Sequence, residues 1–503
     1  MPSRQIRIPL RSNLRVLLLG GAALCALTGV AAAADLPATP DGAAKLNAFF
    51  STYIGAAPAG APRAYSVTPE GSDYLVAIDI AALTAPLKSE GITYDPAIIT
   101  FKAFAQDDGE WRIEQGDFPS LAAHTKRGDV NLDTTIVATG VKGVTLIDPA
   151  ISWMKSHQGG ADKVAVRAHG TGIEETVDVS AAQTSATTAA ASDGTLAWTA
   201  QQLLGAVALT MAVDPKAMKP DSAAQPFTIG AQADQAAVEV KLNGLKPRPL
   251  LDLWAFLAAH PARPDLAANE PALKTLLNAA LAAPLSVDET IGTQTLTVQT
   301  PKGSVVFQGA KIGVGGAAAG PASRFEEHFS ATGLSLPVGM VPPMFHDFVP
   351  AAFDIGFKVS GIDLTAASGE AVGDMHLAGD GPPLSPEDRG KVWAKLVGGA
   401  PVTIEVPPSH IVGPHLNLTI EAKIDYENGR PSGKFIVHMR DFESTMTALK
   451  GLGPEAERKL VPMVAMAKGL ARTDPDGALT WVGELGRDGA MKVNGLPLGK
   501  API

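Results

Sequence analysis

Ser152-Trp153-Met154-Lys155 is the nearest approach in this sequence to a nucleophile with its base. On a helix, that spacing would put a lysine amine one turn from a serine hydroxyl, the pairing by which penicillin-binding enzymes activate their serine. Those enzymes also need Ser-x-Asn and Lys-Thr-Gly elements, and Pro301-Lys302-Gly303 has the wrong order for the second. Metal chemistry fares no better. The ten histidines are scattered, and none forms the i, i+4 pair with an intervening Glu that faces two imidazoles to one ion. His410 and His415 lie near each other, but across Gly413-Pro414 and without a neighbouring carboxylate. Glu326-Glu327-His328 reads as a charged, solvated face. Gly313–Ala318 has the glycines of a dinucleotide loop but leads into Ala319-Gly320-Pro321, where a phosphate cradle needs a helix N-terminus, so it reads as a flexible loop. Asp474-Pro475-Asp476-Gly477 lacks the later ligands of a calcium loop and reads as a turn. No catalytic, cofactor-binding or metal-ligating residue is assigned. The expectation leans to a non-enzymatic protein, with a hydrolase acting through Ser152 as the less favoured class.

The elements around these residues are mostly strands. Tyr74–Ile80 and Ile98–Phe104 alternate apolar and polar residues with period two, as half-buried strands do. Asp108-Gly109, Asp488-Gly489 and the loop holding Asn428-Gly429 are turn signals between such runs, and Leu296–Thr300 with Val305–Gln308 forms a further pair. Helical spacing appears at Leu46, Phe49, Phe50 and Tyr53, over Leu250–Ala259 and Pro271–Ala283, and after the cap at Ser385. Glu455–Ala471 is also helical, with Pro462 predicting a late start or a kink. The fold class expected is mainly β (α+β): long antiparallel, twisted or curved sheets carrying several amphipathic helices. Five pentapeptides, Val137–Val141, Lys241–Leu245, Ser330–Leu334, Lys358–Ile362 and Lys492–Leu496, end in a polar residue, Gly and an aliphatic. A glycine there predicts a bulge or turn that lets the aliphatic re-enter the core.

Arg4, Arg7, Arg11 and Arg15 precede the apolar run Val16–Val30, which closes on Ala31–Ala34. A basic head, a short apolar middle and small residues before a cut are the parts of an export signal, predicting cleavage after Ala34 and a periplasmic protein. Retention as an inner-membrane anchor is the alternative. The one cysteine, Cys25, lies inside this segment, so the mature chain would have neither disulfides nor a thiol nucleophile. Loss of the four arginines takes the formal charge from −10 to −14. Such a surface repels nucleic acid and anionic headgroups. Residues 1–34 are thus expected to be the signal, 35–245 a β-rich domain and 246–503 an α+β domain.

The C-terminal third carries a recognisable order. Lys391-Val392-Trp393-Ala394-Lys395-Leu396 leads into Gly398-Gly399-Ala400-Pro401-Val402-Thr403-Ile404-Glu405, then a strand pair around Arg430-Pro431-Ser432-Gly433 that ends in Met439-Arg440-Asp441-Phe442-Glu443. This order resembles the alphaproteobacterial exported family of unknown function numbered 2125 (DUF2125), over about Arg324–Leu449. A weaker, architectural likeness is to AsmA-type envelope proteins. The resemblance implies export and long sheets, and carries no site residue. The expected function is binding of a lipid or other amphiphilic envelope component in a curved sheet groove, without cofactor. The alternative is an assembly module that binds envelope proteins.

Overall fold

The computed structural model describes residues 34–500 apart from 55–62, 129, 219–222, 261, 283, 380, 399–400 and 428. The export signal and Cys25 therefore lie outside the described residues. The chain is mainly β, with 51% of it in strands, arranged as long antiparallel sheets with helices between them. Two compact units divide it: the first runs to Val207 and adds Asp214–Ala224, and the second comprises Ala208–Val213 and the chain from Gln225.

In the first unit, Tyr65–Glu70, Asp73–Asp79, Ile98–Ala105, Trp111–Gln115, Lys142–Asp148, Trp153–Ala161, Ala182–Ala190 and Leu196–Leu204 each pair antiparallel with the next. A second ladder joins Ile92–Tyr94, Leu121–Arg127, Val130–Thr139, Lys163–Gly170 and Ile173–Val179. The Ala/Thr/Ser tract around residues 182–197 is thus a strand pair. Period two sorts Tyr74, Val76, Phe101, Ala103, Trp111 and Ile113 onto one face of the first ladder. The helix Pro40–Ile54 lays Ala43, Leu46 and Phe50 against that face. Tyr74 is buried there and its hydroxyl accepts the Thr39 N–H at 2.9 Å.

The second unit is built on one long ladder. Ala236–Leu245, Leu285–Thr293, Gly309–Ala318, Ser323–Thr332, Ala352–Ile362, Val402–Gly413, Leu416–Glu427, Arg430–Arg440, Leu479–Leu485, Ala490–Val493 and Leu496–Lys500 pair in that order, all antiparallel. The reading of Gly313–Ala318 as a flexible loop is overturned, because this segment lies inside a strand bonded on both sides. Its glycines have a packing reason: a Cβ on Gly315 would press on Asp288 Oδ1 and Glu326 Cγ, at 2.9 and 2.8 Å. Small residues here let charged side chains from both neighbours close over the strand.

Pro407-Pro408 stands in a central strand, which proline normally enters only at a bulge. The register duly breaks between Val406 and Ser409. Buried Ser409 repairs the local bonding, its hydroxyl accepting the Gly356 N–H at 3.1 Å and donating to the Pro407 carbonyl at 2.8 Å. The five Gly-aliphatic pentapeptides bear out their glycine but not always their aliphatic: Leu245 is buried, whereas Leu496 is exposed and does not return to a core. Gly140, Gly244, Gly333, Gly361 and Gly495 have φ between +61° and +83°, a turn conformation that side chains with a Cβ disfavour.

Two helical groups accompany this ladder. Pro247–Ala259, Arg263–Ala268, Glu270–Leu281, Leu364–Gly373 and Pro386–Val397 contact one another in a chain. Phe442–Gly451 and Pro454–Leu470 pack Phe442, Met446, Leu449, Leu460 and Val464 on Leu418, Met439, Leu479 and Trp481. Pro462 does not interrupt the second of these helices. Packing of Leu460, Val461 and Val464 on both sides of it outweighs the ~3 kcal/mol that an interior proline costs.

Candidate functional site: an uncovered apolar sheet face

Register determines which residues of the long ladder share a face. Val238, Ile291, Ile312, Phe329 and Ile355 stand opposite one another on successive strands. A parallel row holds Leu242, Val287, Gly316, Phe325, Val359, Ile404, Ile424 and Gly433. Further along, the same face carries Val406, Ala422, Phe435, Ile420 and Val437. An apolar face of this length is ordinarily closed by a second layer. Where the C-terminal helices lie it is closed, and Met439 and Leu479 are buried.

Elsewhere it is open. Ile312 is 48% exposed, Ile355 42%, Phe435 40%, Phe329 39% and Phe357 38%. Six strands, from Gly309–Ala318 to Arg430–Arg440, make the open stretch. At 4.8 Å between strands and about 6.6 Å between same-face residues, three rows across six strands cover about 24 by 13 Å, or about 300 Å². That is the size of the largest apolar patch on many single chains, a patch that is often functional.

The opposite face of the same strands is polar and cross-bonded. His328 Nε2 meets Asp354 Oδ1 at 2.5 Å, and Thr403 donates to Asp425 at 2.6 Å. His410 Nδ1 pairs with Thr419 Oγ1 at 3.0 Å, and His438 Nδ1 with Thr480 Oγ1 at 2.7 Å. Thr480 also bonds Asp474, and that hydrogen bond, with help from Arg472, holds the Asp474 carboxyl below the usual range. At the Pro407-Pro408 bulge this face opens a shallow cavity of about 200 Å³ edged by Glu405, Glu421, Lys423 and Lys434.

None of the residues singled out for chemistry assembles into a centre. Ser152 is not on a helix: it takes φ +54° in the turn before Trp153–Ala161, and Lys155 reaches away to Glu110 at 2.5 Å. His415 turns to Ser444 at 2.7 Å, far in role from His410. Asp474–Gly477 is a turn closed by the Gly477 N–H on the Asp474 carbonyl. Among the described residues no three His, Asp or Glu side chains are grouped to hold a metal ion, and no helix is long and apolar enough to cross a membrane. Glu326-Glu327-His328, read as one solvated face, is split by the strand: Glu326 and His328 lie on the polar side and Glu327 on the apolar side. Alternation was the signal that could have shown this, once the segment was recognised as a strand. No family model, no curated protein and no solved structure matches the chain.

Proposed function

We propose that this protein is an exported, periplasmic, non-enzymatic binder of an apolar or amphiphilic envelope component, held on the open face of its long ladder. One observation carries the reading: Ile312, Val314, Phe329, Ile355, Phe357, Ile404 and Phe435 share one face of the ladder, broken only by Glu327 between Val314 and Phe357, that no helix of the same unit covers enough to bury. Leaving such side chains half in water forgoes burial worth ~25 cal/mol for each Å². An acyl chain laid across the strands would recover it, and needs no hydrogen bonds that an intact ladder cannot give. Mass spectrometry of organic extracts from the purified native protein is the test. Co-purified lipid, or saturable uptake of a fluorescent fatty acyl probe, is expected; a clean protein that takes up no probe sinks the reading.

A second reading, docking of another envelope protein by strand addition, has its own observation. Leu496–Lys500 pairs only with Ala490–Val493 among the described residues and is exposed at every position. A free edge of this kind accepts an added strand. Crosslinking in cells from Leu498 should trap one defined partner, and an uncrosslinked chain would dismiss this alternative.

A further inference from the structure

Across the ladder from Ala236–Leu245 to Arg430–Arg440, the residues that register places on the apolar face include no Lys, Arg or His. They include two acids. Glu289 and Glu327 stand opposite Val314 from either side, so they are two strand spacings apart, about 10 Å. Neither forms an ion pair with a described residue. Glu327 is exposed and Glu289 half-buried, so both stay hydrated and lend this face a negative charge that a cationic group can meet.

The surroundings of Glu327 narrow what that cationic group is. Phe325 and Phe329 flank it two residues away on its own strand and face, and Phe357 is its direct cross-strand partner. Phe329 also meets Phe353, with ring centres 5.1 Å apart and planes tilted by 44°. Three aromatic rings around a carboxylate is the combination that binds organic cations, since ring faces attract ammonium groups and the acid supplies the charge. The same arrangement repels an anionic head, because it offers no donor and adds like charge.

We propose that the occupant of the apolar face is an amphiphile with a cationic nitrogen, an amine or quaternary ammonium group, seated at Glu327 among Phe325, Phe329 and Phe357, with Glu289 as the second counter-charge. This rests on the reading of the face as an acyl-chain site and adds the chemistry of the head. Charge complementarity selects this occupant over a fatty acid of the same length.

The experiment compares three probes with one chain length below their micellar concentrations: hexadecyltrimethylammonium, hexadecanol and hexadecanoate. Each displaces a neutral fluorescent acyl probe from the full chain at low and at physiological salt. The ammonium compound should bind about tenfold more tightly than the carboxylate, the margin narrowing with salt. The Glu289→Gln/Glu327→Gln variant, whose amides keep the shape, should bring the three within about twofold. Phe357→Leu removes an aromatic face but keeps an apolar side chain, so it should weaken the ammonium probe by more than it weakens the alcohol. Equal affinities in the wild type, or a preference for the carboxylate, overturns the head-group assignment and leaves acyl binding standing. Failure of all three probes removes acyl binding itself. If the double Gln variant aggregates and the wild type shows no preference, the acids serve only to prevent association, and the proposal falls.

Discussion

Replacing Ile312 and Ile355 together by Thr separates an open face from a packed one. The two residues flank Phe329 in one row. Thr keeps the branched Cβ that suits a strand, so the backbone is not challenged. Burying an Ile fully is worth roughly 1.5–3 kcal/mol. With 48% and 42% of their surfaces still in water, each side chain has realised about half of that in the fold, near ~1 kcal/mol. The free protein should therefore lose about 2 kcal/mol in urea unfolding, where two closed-core truncations would cost roughly 4–10 kcal/mol. The remaining half is available only to a ligand. Binding of a neutral hexadecyl probe should weaken by up to ~2 kcal/mol, or about 30-fold. Urea melts without ligand and probe titration at equilibrium read the two effects separately. A stability loss above ~4 kcal/mol would mean that the face is packed, and unchanged probe affinity would mean that it is not the site.

The remaining predictions concern how the scaffold is held. Ser409→Ala leaves the Gly356 N–H without its acceptor inside the sheet, and should cost ~1–3 kcal/mol in urea unfolding, whereas Ser409→Thr, which keeps a hydroxyl, should cost less. His124 sits between Asp133 at 2.7 Å and Asp95 at 3.2 Å, and the hydrogen bond to Asp133, then that to Asp95, raises its pKa above the ordinary 6.5. Its contribution is therefore complete below pH 6.5 and is lost as pH rises through the raised value; amide exchange at Asp95, bonded to Ala122, should quicken over that window and not in His124→Ala. Asp388 is held down to about 2, first by the Ser385 hydroxyl and then by Lys391, in the capping box of Pro386–Val397. That cap is intact above pH 3.8 and is lost as pH falls toward about 2, so NMR titration should place the carboxyl low in the wild type and nearer its ordinary value in Ser385→Ala.

Much of this architecture is legible in the sequence because it is local. A hairpin needs only alternation and a turn dipeptide, and Asp108-Gly109 indeed joins strands in which Ala105 faces Trp111. The Gly-aliphatic pentapeptides announced positive φ at five separate strand ends. What escaped reading was non-local. Gly313–Ala318 lacks large side chains of its own, and its strand identity comes from neighbours on both sides, including Asp288 and Glu326. Pro462 was overruled in the same way by tertiary packing. The candidate site was hidden for a related reason: each strand shows ordinary alternation, and only register across six of them reveals that their apolar halves coincide and that Glu289 and Glu327 interrupt them. Single-residue chemistry misled where it presumed a helix, as at Ser152, which the fold places in a turn.

Gly483 offers an independent gauge of how open the face is. It lies opposite Phe435, whose ring folds directly over it, so a Cβ at 483 would collide with the ring. Had Phe435 a second layer above it, the ring could not move, and Gly483→Ala would carry the full overpacking cost of ~1–3 kcal/mol or more. Phe435 is instead 40% exposed, with room to swing toward solvent. The ring can then escape by a rotamer change costing ~0.5–1.5 kcal/mol, and the measured loss should sit near ~1 kcal/mol. The swing has a consequence for binding, since it lifts the ring out of the row that an acyl chain would lie against. Gly483→Ala should therefore leave folding nearly intact while weakening the neutral hexadecyl probe by severalfold, whereas Gly483→Ser, which crowds the ring equally, should do the same. A loss above ~3 kcal/mol with no change in probe binding would place Phe435 in a closed core and contradict the open-face reading at its far end.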